Sequence, residues 1–352
     1  MFGVWRTLLA LCVVAFHLLL IPVIGEYAVF SFFVLSGFLM TTIMHDSYGY
    51  GLEGLRRYAL NRFLRLYPAY WVAAAIGLLV IFACGEEAVR AYKPEIYAPD
   101  HLSAVVFNLA MIFPRLMPDE VWPRLSPPTW ALTVEITYYV AIGLGVSRTK
   151  RRALIWLAAS VAYVVATFTL HLSPRFRYAA IPAGSLPFAA GACLYFYKTE
   201  ARRLLQRLRV GLWPVAGAYL GLFLGFTVLS YLGHTGPIQA VGLYMTVAAA
   251  CALITKLNFD GVPGVPPRLD KLVGDFSYPI YLLHWQLGAF SSTLLFHRPE
   301  FGLSAQGLAS FALTLALVGI VSAFIIRVID PTVESLRTRI RQSPPLAVLA
   351  AT

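Results

Sequence analysis

WRTLLALCVVAFHLLLIPVI, residues Trp5 to Ile24, is an apolar run long enough to cross a membrane. Its twenty positions carry one fixed charge, Arg6, and one titratable ring, His17. Wound as a helix they rise about 30 Å, the thickness of a bilayer's hydrocarbon core. A helix turns about 100° per residue, so the eleven positions from Arg6 to His17 return to within about 20° of one face, ~16 Å further along. One helix then offers a cation near the membrane surface and an imidazole deeper in. Ionisable groups are costly at that depth, and their presence there is by default a functional hypothesis.

The rest of the chain repeats the pattern. Of its 352 residues, 59% are hydrophobic and 13% charged, where soluble domains carry about 25% charge. The reading is an all-α integral membrane protein with about ten transmembrane helices. They lie at 5–24, 28–45, 66–84, 130–147, 153–172, 179–197, 211–232, 238–256, 277–297 and 304–328. Only Arg6 stands at the start of the first run and no small-residue cleavage site closes it, so it reads as a span and not a secretory signal. Residues 101–117 are apolar but interrupted by Pro114 and Arg115, with Pro118 following. They read as a re-entrant or interfacial helix.

Basic residues test the count, since they concentrate in cytoplasmic loops. With both termini cytoplasmic, 21 of the 28 lysines and arginines fall inside. An eleventh crossing at 101–117 would scramble that pattern. The net charge of +11 is spread in short clusters between apolar runs, which argues against a nucleic-acid partner. One long outer loop, about 85–129, has an acidic start, seven prolines and Trp122. Residues 1–330 form a single transmembrane domain, followed by a cytoplasmic basic tail at 331–352, partly disordered. The four cysteines are scattered, and no Cys/His spacing points to a metal.

Four groups of residues can carry chemistry. Arg6 and His17 are the first, an imidazole being a ready acid or base near neutral pH. Next are Arg62 and Arg65, three apart on one helix face in Asn61-Arg62-Phe63-Leu64-Arg65-Leu66-Tyr67-Pro68; their guanidinium forks suit phosphates. In Trp130-Ala131-Leu132-Thr133-Val134-Glu135, the carboxylate must be paired, wetted or protonated. Finally, Ser277-Tyr278-Pro279-Ile280-Tyr281-Leu282-Leu283-His284 holds a second intramembrane imidazole. Each has a plain structural alternative, such as interface anchoring or a helix-to-helix hydrogen bond. The remaining histidines fall near span ends or in loops.

Taken in order, these segments resemble the membrane acyltransferase 3 family. Arg6 to His17 matches R-x10-H, and Phe32 to Leu39, with Ser36, matches FFxLSGF. Arg62 to Pro68 matches RxxRxxP, Trp130 to Glu135 matches W-x-L-x-x-E, and Ser277 to His284 matches SYxIYLxH. Many members carry an Asp before the Phe pair, where this chain has Val29-Phe30-Ser31. The chain is similar to stand-alone members without a C-terminal esterase-like domain.

The resemblance implies an acyl-CoA-dependent O-acyltransferase of the cytoplasmic membrane, modifying carbohydrates such as exopolysaccharide. No cofactor is expected to be bound; acyl-CoA, usually acetyl-CoA, is the co-substrate. His17 and Glu135 are then the candidate catalytic residues, with His17 as base or acyl carrier and Glu135 orienting it, which requires the first and fourth spans to touch. Arg6, Arg62, Arg65, Ser36, Tyr281, His284 and Trp130 are the candidate substrate-binding residues. Acceptance at the outer face, with a wet passage through the bundle, is the expected route. A transporter or flippase of a glycan fits the composition too, and a non-catalytic scaffold is the remaining reading.

Overall fold

The computed structural model describes residues 2–342, and among these every regular element is helical. In chain order the principal helices begin with α1 (Gly3–Leu18), α2 (Ile24–Ile43) and α3 (Leu52–Cys84), then α4 (Glu86–Tyr92) and α5 (Leu102–Ala110). There follow α6 (Thr129–Gly143), α7 (Lys150–Thr169), α8 (Ser185–Arg207), α9 (Leu212–Tyr231) and α10 (Pro237–Asp260). The last are α11 (Pro267–Phe296), α12 (Ala305–Phe324) and α13 (Asp330–Gln342). Six helical stretches are long and apolar enough to cross a membrane: Ile24–Tyr48, Leu52–Cys84, Lys150–Thr169, Leu212–Tyr231, Pro237–Asp260 and Ala305–Arg341. α1 has 16 residues and α6 has 15, each rising only about 23 Å. The first apolar run is therefore shorter as a helix than its composition implies, because the chain leaves the helix at Leu19 and turns at Pro22 and Val23 into α2.

Residues 330–342 of the basic tail are helix, with Asn61 of α3 paired to Arg337. The disordered segment expected at 343–352 lies outside the described residues.

Two close helix contacts hold the bundle centre. α1 and α11 run parallel, Gly3 meeting Gly274 at one end and Leu18 meeting Gly288 at the other. A Cβ on Gly3 would lie 1.7 Å from the Asp270 carbonyl oxygen. At the same end the Asp270 carboxylate accepts the amides of Gly3 (2.9 Å) and Val4 (3.0 Å), filling donors that the first turn of a helix leaves open. α2 and α8 run parallel, Phe33 meeting Phe188 toward one end and His45 stacking on Tyr195 toward the other, with Gly37 against Phe188 and Gly191 against Val34 at the crossing. Glycines at such crossings admit backbones that larger residues would hold apart.

The 85–129 segment is folded into the bundle. Its helix α5 has nine residues, about 13 Å, and cannot cross a bilayer. It dips in beside α3, whose side chains take its last carbonyls. Tyr67 Oη donates to Ala110 O (2.7 Å), Tyr70 Oη to Asn108 O (2.5 Å) and Trp71 Nε1 to Leu109 O (3.0 Å). The C-terminal carbonyls, which have no partner within a helix, are thus met by a neighbour. Asn108 completes the anchor, its amide donating to Pro123 O (2.8 Å) and its oxygen accepting from Leu125 N (2.9 Å).

Candidate active site

Two cavities lie along the bundle interior. The first, about 140 Å³, is walled by helices alone and contains Arg6 of α1, Ser36 of α2, Arg62 and Arg65 of α3, and Glu135 of α6. The second, about 160 Å³, contains His17 of α1 and Trp285 of α11, with Lys93, Glu95, Asp119 and Arg124 from the folded-in loop. Val29 and Tyr281 line both. Tyr281 is fixed there by its hydroxyl, which donates to the Pro128 carbonyl (3.0 Å).

The arginine chamber holds three guanidinium groups against one carboxylate. Glu135 accepts hydrogen bonds from Ser36 Oγ (2.5 Å) and from Tyr139 Oη. No ion pair links Glu135 to an arginine among the described residues. Arg62 donates to Asn61 Oδ1 (2.8 Å), and its Nε is buried with no partner. Cations so placed have unspent donor capacity turned to a cavity, the arrangement of an anion receptor. Arg62 and Arg65 reach this chamber together because residues three apart on α3 share a face.

The His17 chamber is different in charge and shape. Two cations, Lys93 and Arg124, face two acids, Glu95 and Asp119. Arg124 is 2% exposed and lies at the centre of a loop network. Its Nε donates to Pro127 O (3.1 Å), Nη1 to Asp119 O (2.7 Å) and Val121 O (2.8 Å), and Nη2 to Glu95 Oε1 (3.3 Å). Burial lowers its pKa from the usual arginine value, with the negative charges of Glu95 and Asp119 opposing. Trp130, Tyr178 and Trp285 supply aromatic walls. Trp130 meets Tyr178 edge-on at 5.3 Å between centroids.

His17 sits against a stack of rings. Its centroid is 5.3 Å from that of His284, the planes inclined by 14°, and 4.9 Å from that of Trp285. His284 is fully buried, and its Nδ1 lies 2.9 Å from the Tyr281 carbonyl. A carbonyl only accepts, so Nδ1 carries the hydrogen and Nε2 keeps its lone pair.

The structure gathers the sequence candidates into this one axis but divides them. Arg6, Arg62, Arg65, Ser36 and Glu135 share the first chamber, while His17 and Trp130 share the second. Tyr281 stands between them, and His284 supports His17 from behind. Glu135 and His17 are not brought together. α2 packs against both α1 and α6, and its Ser36 takes the carboxylate that was expected to orient the imidazole. Sequence reasoning also missed Tyr139 and Tyr278 in the first chamber and Lys93, Glu95, Asp119 and Arg124 in the second. No periodicity marks the loop residues, which arrive by the folding of 85–129 alone.

Over residues 2–328 the chain matches the family described as "Acyltransferase domain". The chain belongs to this acyltransferase family. Acyltransferase MdmB of Streptomyces mycarofaciens is 26% identical over 329 residues, covering 88% of this chain and 79% of that one. The putative membrane-bound acyltransferase YfiQ of Bacillus subtilis (strain 168) is 23% identical over 264 residues, covering 71% and 66%. No solved structure matches the chain significantly. The protein is thus a multi-pass membrane acyltransferase.

Proposed function

We propose that this acyltransferase moves an acyl group, normally acetyl, from cytosolic acyl-CoA to a hydroxyl of a carbohydrate or glycan. The observation that carries the reading is the pair of chambers meeting at Val29 and Tyr281. One has a surplus of guanidinium groups suited to the CoA phosphates. The other is balanced in charge and walled by aromatic rings, which suits a neutral polyol. Arg6 and His17 stand about 16 Å apart along α1, a distance within reach of the neutral pantetheine arm of CoA.

The membrane arrangement belongs to the same reading. α1, α2, α3 and α6 to α12 are taken as ten crossings of the cytoplasmic membrane, with both termini and the arginine chamber at the cytoplasmic side. The clustering of basic residues supports that orientation.

In the reaction, His17 takes the proton of the acceptor hydroxyl, and the oxygen attacks the thioester carbon. Collapse of the tetrahedral intermediate expels the CoA thiolate, which receives the proton from His17, leaving ester, free CoA and neutral imidazole. Glu135 has a separate part, tempering the positive charge of the donor chamber so that CoA can leave after transfer. Purified protein in detergent, given radiolabelled acetyl-CoA and a panel of glycans, tests the reading. Acceptor-dependent label transfer with release of free CoA supports it. Movement of a glycan across vesicles without thioester consumption would instead support a flippase.

A further inference from the structure

We infer that Lys93 is the oxyanion-binding residue of the acyl transfer, donating to the carbonyl oxygen of the thioester as it becomes negative. The assignment rests on the proposed function, and it concerns a residue outside all five sequence motifs.

Attack on a thioester puts a full charge on the carbonyl oxygen, and preorganised donors at that point are commonly the largest catalytic contribution. The His17 chamber offers few candidates. Glu95 and Asp119 are acids. Arg124 has its nitrogens turned to loop carbonyls and Glu95. Lys93 is the cation of this chamber, among the described residues, with donors to spare: an ammonium has three N–H groups, and its ion pair with Glu95 Oε2 (3.0 Å) occupies one. Tyrosine and indole donors also line the wall, but a charge-assisted hydrogen bond is roughly twice as strong as a neutral one.

Position favours Lys93 as well. Its Nζ lies 4.5 Å from the centre of the Trp285 ring, and that ring is 4.9 Å from the imidazole of His17. The indole holds the cation by its face and leaves it on the same wall as the base. Base and electrophile thus flank one small cavity. The side chain lines that cavity and is 23% exposed. While the acceptor oxygen attacks and its proton goes to His17, Lys93 stabilises the anion without transferring a proton; on collapse the oxygen's electron pair re-forms the carbonyl and the negative charge leaves on the thiolate sulfur.

The test is transfer kinetics on full-length protein, with acetyl-CoA and the acceptor found for the unaltered enzyme. Lys93→Met keeps the apolar stem over Trp285 and removes the charge. The expected result is a fall in kcat of about 100- to 1,000-fold, with the KM for acetyl-CoA unchanged, since the donor's phosphates bind in the other chamber. Lys93→Cys should lose activity similarly and regain a substantial part on treatment with 2-bromoethylamine, which rebuilds an ammonium. The unaltered protein, with its own cysteines Cys12, Cys84, Cys193 and Cys251, serves as the control for alkylation. A kcat that survives in Lys93→Met overturns the assignment. So does a folded Lys93→Cys protein that aminoethylation fails to revive, since a role confined to pairing Glu95 would not need the donor aimed at substrate. No transfer by the unaltered enzyme from any acyl-CoA would defeat the proposed function itself, and the assignment with it.

Discussion

The imidazoles of His17 and His284 lie face to face, 5.3 Å between centroids and 14° from parallel. One ring borders a cavity and the other is sealed in α11 with its Nδ1 bound to the Tyr281 carbonyl. The buried ring is a backstop that sets the plane of the accessible one. His284→Ala should open a void beneath His17, costing about 2–4 kcal/mol of stability and lowering kcat at least tenfold. His284→Phe should restore the melting temperature and most of the activity. Equal kinetic losses in both variants would show that the nitrogens matter and the ring face does not.

His17→Ala is expected to abolish transfer, by about 100- to 10,000-fold as general-base contributions run, while the protein still inserts and elutes as a folded species in detergent. Near-normal acetyl transfer by this variant would remove His17 from the mechanism.

Arg65→Ala should act on the donor alone. Losing one charged phosphate contact costs about 1.5–3 kcal/mol, so the KM for acetyl-CoA should rise roughly 10- to 100-fold with kcat little changed. Added salt should weaken donor binding in the unaltered enzyme more than in the variant. An unaltered KM would mean that the three arginines serve only to anchor the helices.

Glu135→Gln separates two views of this acid. The amide can still accept from Ser36 and Tyr139, but the chamber becomes more positive. Tighter CoA binding with slower product release is the expected result, read as a lower donor KM and lower kcat together. A pure kcat loss at fixed KM would return Glu135 to the role of partner for His17.

The small residues at helix crossings make a stability prediction with an internal control. A Cβ at Gly191 would come within 2.0 Å of the Val34 carbonyl oxygen, whereas one at Gly217 in α9 meets nothing within 4 Å. Gly191→Val should destabilise by at least about 1–3 kcal/mol. Gly217→Ala should be neutral or stabilising by about 0.5–1 kcal/mol. Thermal unfolding in detergent compares the two.

Much of this was legible in the chain. The eleven-residue interval of Arg6 and His17 follows from helix geometry and survives as one stripe of α1. The pairing of Arg62 with Arg65, and the isolation of Glu135 in an apolar run, likewise needed only local periodicity. The interruptions around 114–118 correctly marked 101–117 as too broken for a crossing. What periodicity does not encode is which helices touch. The expected meeting of His17 with Glu135 depended on α1 meeting α6, and α2 stands against both. Lys93 and Arg124 were invisible for another reason. They reach the second chamber through Asn108, three α3 side chains and a set of loop carbonyls, contacts that leave no regular spacing behind.

The walls of the two chambers come from different kinds of chain. The arginine chamber is built wholly by helices, so its shape is set by how the bundle packs. The polar wall around His17 is drawn from a loop, fastened to α3 at Asn108 and tied together at the wall itself by Arg124. On the proposed function, descent can rewrite the acceptor wall while the donor pocket stays as it was, and an enzyme so divided can diversify its products without having to reinvent its chemistry.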